Sequence, residues 1–281
     1  MSITYRNAPT KTVDVGGTRF AYRRLGVDTG ATGVPVIALN HLVGVLDNWD
    51  PRVIDGIAAG HLVITFDNRG VGASEGRTPD SIAAMAHDAI AFIRALGFDQ
   101  VDLLGFSLGG MIAQVMLHEE PQLFRKIILA GTGPAGGVGI DKVTALTLLD
   151  TVKAKLTFRD PKELLFFTRT ETGKSAARRF IKRLNERTGD RDKAISLSAT
   201  RAQFKAIRGW GTQEPSDLTI IKQPVLVANG EADRMVPSSN STDLARRLPD
   251  ARLTLYPDAG HGGIFQYHEE FVDEALRFYG S

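Results

Sequence analysis

The sequence predicts an α/β protein, with a mostly parallel central sheet covered by helices on both faces and a helical cap inserted between two strands. Three observations carry that prediction. Apolar runs of strand length alternate with stretches of helical period along most of the 281 residues, the pattern of a parallel sheet with crossover helices. The central run, Val101–Phe106, ends in Gly105-Phe106-Ser107-Leu108-Gly109, and a helical period starts at once. Between about Asp141 and Arg208 the rhythm breaks, and the chain reads as helix with no convincing buried strand.

Thr10 to Leu25 reads as two short strands around the turn signal Val15-Gly16-Gly17-Thr18. Val34–Leu39 is a buried strand followed by the loop Asn40-His41-Leu42-Val43-Gly44, and a helix is expected near Pro51–Ala59. His61–Phe66 is a third apolar strand, closed by Asp67-Asn68-Arg69-Gly70-Val71-Gly72. Ser81 to Leu96 has helical spacing, with Asp80 as the expected N-cap and Gly97 just past the end. After Ser107 and its helix, Lys126–Ala130 is the next strand, and Gly131–Gly137 reads as a hinge-like run. The strands resume at Pro224–Asn229, and a helix is expected near Ser239–Leu248. The strand Arg252–Tyr256 leads into the loop Pro257–Gly263, and a single last helix from about Ile264 to Tyr279 completes the chain. The division this implies is a core of residues 1–134 and 216–281, with residues 135–215 as a helical cap.

Composition narrows the chemistry. There is no cysteine, so disulfides, thiolate metal sites and a cysteine nucleophile are excluded. The net charge of +2 gives no reason to expect nucleic acid as a partner. No apolar run approaches membrane-spanning length, and the stretch Met1–Asn7 lacks the apolar core of a signal peptide, so no membrane association and a cytoplasmic location are expected. The charge is unevenly spread. Residues 141–208 hold 17 Lys or Arg against 8 Asp or Glu, which leaves the remainder of the chain net acidic. A basic helical surface is ordinarily a solvated face; the sharper reading is that it draws in an anionic substrate.

The strand–turn–helix at Ser107 would expose a serine oxygen at a strained apex, with Gly105 and Gly109 letting the two backbones approach. A serine hydroxyl needs a base within reach, and the base needs an orienting carboxylate. His261 is the candidate base, because it lies in a glycine-flanked loop straight after a strand. Asp233, after the strand that ends near Asn229, is the candidate carboxylate, with Glu231 and Asp258 as competitors. Loops that follow parallel strands gather on one edge of a sheet, so these three residues can converge. Developing negative charge on a carbonyl oxygen would need two donors. Leu108 N–H at the helix start is one, and Leu42 N–H in the early loop is the other. His41, Phe106, Phe166 and Trp210 are candidate pocket residues. Neither His118-Glu119-Glu120 nor His268-Glu269-Glu270 has a second histidine one turn away, so no metal site is expected. Gly173-Lys174-Ser175 has Thr168 where a phosphate loop needs glycine.

Taken together, these segments resemble the α/β-hydrolase fold family over nearly the whole chain. Gly105–Gly109 resembles its nucleophile elbow, and Asp67–Ser74 its Asp-x-Arg-Gly-x-Gly-x-Ser segment. Gly230-Glu231-Ala232-Asp233-x-x-Val236-Pro237 resembles its acid loop, and Ala259-Gly260-His261 its histidine loop. The resemblance implies a serine hydrolase acting on a carboxylic ester or lactone, with Ser107, Asp233 and His261 as its triad and no cofactor. Asn40-His41-Leu42-Val43-Gly44 departs from the family's usual His-Gly and is closer to the Asn-Ser-Leu-Gly of enol-lactonase members. Perhydrolysis of the haloperoxidase kind and carbon–carbon bond hydrolysis share the same triad. A reading of another class is a small-ligand receptor that keeps the fold without turnover.

Overall fold

The computed structural model describes residues 3–27 and 33–280; Met1 and Ser2 of the N-terminal stretch lie outside the described residues. Its sheet has eight strands. They are β1 (Lys11–Val15), β2 (Thr18–Gly26), β3 (Val36–Leu39), β4 (Leu62–Phe66), β5 (Val101–Phe106), β6 (Phe124–Ala130), β7 (Val225–Gly230) and β8 (Ala251–Tyr256). Their order across the sheet is β1-β2-β4-β3-β5-β6-β7-β8. The β1–β2 hairpin lies at one edge, and β2 pairs antiparallel with β4; every pairing from β4 through β3 to β8 is parallel.

The period of two along the inner strands divides the core into two layers. Leu103, Ile127, Leu129, Val225 and Val227 belong to one apolar cluster, together with residues of α2 (Ile82–Ala95) and α3 (Leu108–Glu119). Their neighbours Leu104, Ile128, Ala130, Leu226 and Ala228 belong to the other. That second layer contains α1 (Pro51–Ala58) and Phe271, Ala275 and Phe278 of the last helix.

Between β6 and β7 the chain forms four α-helices: α4 (Val143–Leu156), α5 (Pro161–Phe166), α6 (Glu171–Leu184) and α7 (Leu197–Thr212). They divide between the two layers. Ala206, Ile207 and Trp210 of α7 join the cluster of α2 and α3, whereas Ala176, Ala177, Phe180 and Leu184 of α6 join that of α1. The helices between β6 and β7 therefore contribute to both layers of the core. A buried ion pair fixes α6, with Arg183 donating to Asp50 at 2.6–3.0 Å and to the Phe265 carbonyl at 2.9 Å. Asp50 also caps α1 by accepting from Arg52 N–H.

Two helix ends differ from the sequence expectation. The N-cap of α2 is Ser81, which accepts from Ala84 N–H, while the Asp80 carboxylate accepts from Lys205 of α7. The expected single last helix is two, α9 (Gly263–Gln266) and α10 (His268–Gly280), after α8 (Ser239–Arg247). Tyr267 interrupts them. Its ring stacks on Tyr256, its hydroxyl donates to the Pro257 carbonyl at 2.8 Å, and its backbone leaves the helical region.

Candidate active site

Ser107 stands between β5 and α3 with φ +57° and ψ −114°, a conformation that costs an ordinary residue strain. Its neighbours hold it there. Ser107 N–H donates to the Ala130 carbonyl at 2.8 Å, and its own carbonyl accepts from the Thr132 hydroxyl at 2.8 Å. The glycines are required by close approach. A side chain at Gly109 would begin 2.0 Å from the Leu39 carbonyl oxygen, and one at Gly105 would begin 2.8 Å from the Gly109 carbonyl oxygen.

The loops after β7 and β8 are stitched together. Ala232 N–H donates to the Ala259 carbonyl and Glu231 N–H to the Tyr256 carbonyl, each at 2.9 Å. A side chain at Gly230 would start 2.2 Å from the Gly260 carbonyl oxygen, so this approach also needs glycine. Asp233 and His261 are thereby brought face to face. The His261 Nδ1 to Asp233 Oδ2 distance is 2.8 Å, and His261 Nε2 lies 2.9 Å from Ser107 Oγ. The other Asp233 oxygen accepts from Met235 N–H at 2.8 Å and Val236 N–H at 3.1 Å, so the carboxyl group is fixed on both sides. All three side chains are buried. With the proton on Nδ1, the imidazole donates to Asp233 and presents a lone pair to the serine hydroxyl.

The competing carboxylates are elsewhere. Glu231 is exposed, and Asp258 accepts from Thr168 and Thr170 of the insertion. Leu42 and Leu108 are both buried, and neither backbone N–H has a hydrogen-bond partner among the described residues. Phe106 and Phe166 flank the imidazole of His261, with ring centroids 5.1 and 5.6 Å from it. His41 packs edge-on against the same two rings, at 5.6 and 5.1 Å. Its Nδ1 donates to the Leu42 carbonyl at 2.7 Å, and its Nε2 is buried without a partner. Burial pushes its pKa down to about 3, despite the Leu42 bond that favours the charged form; the nearby Lys162 and His261 lower it further. His41 is thus a neutral ring at neutral pH. Trp210 stands apart from these rings: its indole N–H donates to the Gly133 carbonyl at 3.1 Å, and the residue belongs to the α2/α3 layer of the core.

Sequence reading missed Gln203. This α7 residue is fully buried, and its Oε1 accepts from Val43 N–H, beside Leu42, at 2.7 Å. The available signal was a polar residue on an apolar stripe, since Ala199, Ala206, Ile207 and Trp210 share its face of the helix. Among the described residues no group of three or more His, Asp or Glu side chains could hold a metal ion. No described helix is long and apolar enough to cross a membrane.

The fold is shared with known proteins. A family model described as alpha/beta hydrolase fold matches residues 34–266. Among solved structures, an alpha/beta hydrolase fold protein from Chitinophaga pinensis is 43% identical and superposes with a TM-score of 0.92, over 99% of this chain and 100% of that one. A Mycobacterium tuberculosis protein provisionally named non-heme bromoperoxidase BpoC is 27% identical over 92% of this chain and 98% of its own. A Rhizobium rhizogenes protein provisionally named carbamate hydrolase RutD is 28% identical over 86% of this chain and 91% of its own. The chain belongs to the α/β-hydrolase fold family.

Proposed function

We propose that the protein hydrolyses a carboxylic ester or lactone through an acyl-serine intermediate. The observation that carries this reading is the hydrogen-bonded run from Ser107 Oγ through His261 to Asp233, at 2.9 and 2.8 Å. In the first half-reaction Ser107 Oγ attacks the carbonyl carbon as His261 Nε2 takes the hydroxyl proton. Asp233 holds the imidazole in the required tautomer and stabilises the charge it gains. Negative charge on the carbonyl oxygen meets the free N–H groups of Leu42 and Leu108 and the positive end of α3. Collapse breaks the bond to the leaving oxygen, which receives the proton from His261. A water then attacks the acyl-serine with His261 as base, releasing the acid and restoring the hydroxyl. For a lactone the alcohol and acid remain one molecule.

Residues 135–215 act in this reading as a cap over a core made of residues 1–134 and 216–281. Phe166, whose ring lies 5.6 Å from that of His261, is the cap residue placed to touch the acyl group. Perhydrolysis is the second reading, favoured by the bromoperoxidase name of the mycobacterial relative. There peroxide replaces water in the second half-reaction and the product is a peracid.

Labelling with a fluorophosphonate, alongside a screen of p-nitrophenyl esters of graded acyl length and lactones of graded ring size, tests the proposal. Covalent modification at Ser107 with steady turnover is the expected result. Tight binding of a small ligand with negligible turnover would instead favour a receptor. Turnover that rises on adding peroxide, with peracid as product, would favour the second reading.

A further inference from the structure

The loop that carries Leu42 contains a strained turn, and the insertion reaches across to grip it. Gly44 N–H donates to the His41 carbonyl at 3.0 Å, closing a turn of residues 41–44. Val43, its third residue, has φ +63°. Turns with positive φ at that position call for glycine or asparagine, and a β-branched residue there is a backbone outlier. The peptide unit between Leu42 and Val43 is held at both of its polar atoms. The His41 ring donates to the Leu42 carbonyl at 2.7 Å, and Gln203 Oε1 accepts from Val43 N–H at 2.7 Å. Gln203 is fully buried, and its Nε2 has no partner, so its bond to Val43 is made at the cost of an unsatisfied donor. The bond to Val43 is the one hydrogen bond that its amide group makes among the described residues.

We propose that Gln203 is a positioning residue for the Leu42 N–H donor: from helix α7 it holds Val43 in the left-handed conformation that keeps this turn closed. The turn fixes the peptide plane of His41 and Leu42, whose carbonyl is engaged by Gly44 and whose N–H is free. Release of Val43 lets that plane rotate and takes the donor away from the developing oxyanion. The insertion is then part of the machinery that stabilises the transition state, and its seating on the core sets kcat as well as substrate access. This inference rests on the hydrolytic reading above.

A double-mutant cycle tests it. Gln203→Met removes the acceptor at nearly constant volume, and Val43→Gly removes the strain that the acceptor holds. On p-nitrophenyl butyrate, Gln203→Met is expected to lower kcat by on the order of tenfold or more with KM within about twofold. In the Val43→Gly background the same substitution is expected to cost at most about twofold, because glycine adopts the turn unaided. Gln203→Glu, which keeps an acceptor oxygen in either protonation state, is expected to stay within about threefold of the parent. Affinity for a trifluoromethyl ketone is expected to fall with kcat/KM in Gln203→Met, as it must if the loss is in transition-state binding. An unchanged kcat in Gln203→Met overturns the inference, and so does an equal loss in both backgrounds, which is what a packing role predicts. If Gln203→Met does not fold, the double variant compared with Val43→Gly and the Gln203→Glu variant carry the same decision. Ester turnover that survives Ser107→Ala would remove the hydrolytic reading, whereas a loss seen in Ser107→Ala and absent from Gln203→Met removes this inference alone.

Discussion

Gly262 N–H donates to the Phe166 carbonyl at 2.7 Å, and this bond joins the loop that carries His261 to the helical insertion. The approach is close enough that a side chain at Gly260 would begin 2.7 Å from the same carbonyl oxygen. The Phe166 ring also packs against Phe106, Phe180 and Phe265, so backbone and side chain fasten one point of the insertion over the imidazole.

Truncating that ring should therefore act on both stability and rate. Phe166→Ala is expected to cost about 3 kcal/mol, the lower part of the range for a buried phenylalanine. It should also lower kcat, because the His261 loop loses its packing partner. Urea melts and ester kinetics on the same sample check both. Unchanged kcat would mean that the loop holds His261 without help from the insertion.

The seating of α6 is expected to depend on one buried charge pair. Asp50→Ala leaves Arg183 buried beside the Phe265 carbonyl without its carboxylate, and also removes the N-cap of α1. The expected loss is about 3–5 kcal/mol. A shift worth less than about 1 kcal/mol in a urea melt would show that the pair is dispensable.

His41 gives a pH signature. Its pKa falls from 6.5 to about 3 in the folded protein because burial penalises the charged ring. Between those values the unfolded chain takes up a proton that the folded chain does not. The stability that depends on a neutral His41 is present above the unfolded value and is lost as pH falls through that window. Wild type is expected to lose about 1–2 kcal/mol more than His41→Phe between pH 7 and pH 5. Parallel stability profiles for the two proteins would contradict this account of the ring.

Much of this fold could be read from residue order. Leu103 and Leu104, or Ile127 and Ile128, lie in continuous apolar runs because both faces of the sheet are covered, and such runs announce buried parallel strands. Ser107 and Asp233 each follow such a run closely, and His261 follows the half-exposed edge strand β8, so their strand-end positions were legible. What was not legible depends on partners distant in the chain. Asp80 has the side chain of a helix cap, yet Ser81 caps α2 and the Asp80 carboxylate pairs with Lys205, 125 residues away. Tyr267 fits a helical period, yet the last helix breaks there, where its ring stacks on Tyr256 and its hydroxyl donates to the Pro257 carbonyl. The buried pair of Arg23 with Asp47 has no periodic trace at all. Gln203 is the instructive omission: one polar residue on an apolar stripe looks like a flaw until Val43 is placed beside it.

The orienting carboxylate should matter far more for rate than for stability of the active conformation. Asp233→Asn is expected to lower kcat by about 10⁴-fold, since an amide can favour the wrong imidazole tautomer. Loss of less than about tenfold would assign Asp233 a structural role through its bonds to Met235 and Val236.

Ester turnover by Ser107→Ala bears on the central claim most directly. The claim predicts a fall in kcat of about 10⁴-fold or more with the melting temperature within a few degrees of wild type, because only one hydroxyl is removed. Turnover near the wild-type rate in a folded Ser107→Ala protein would contradict it.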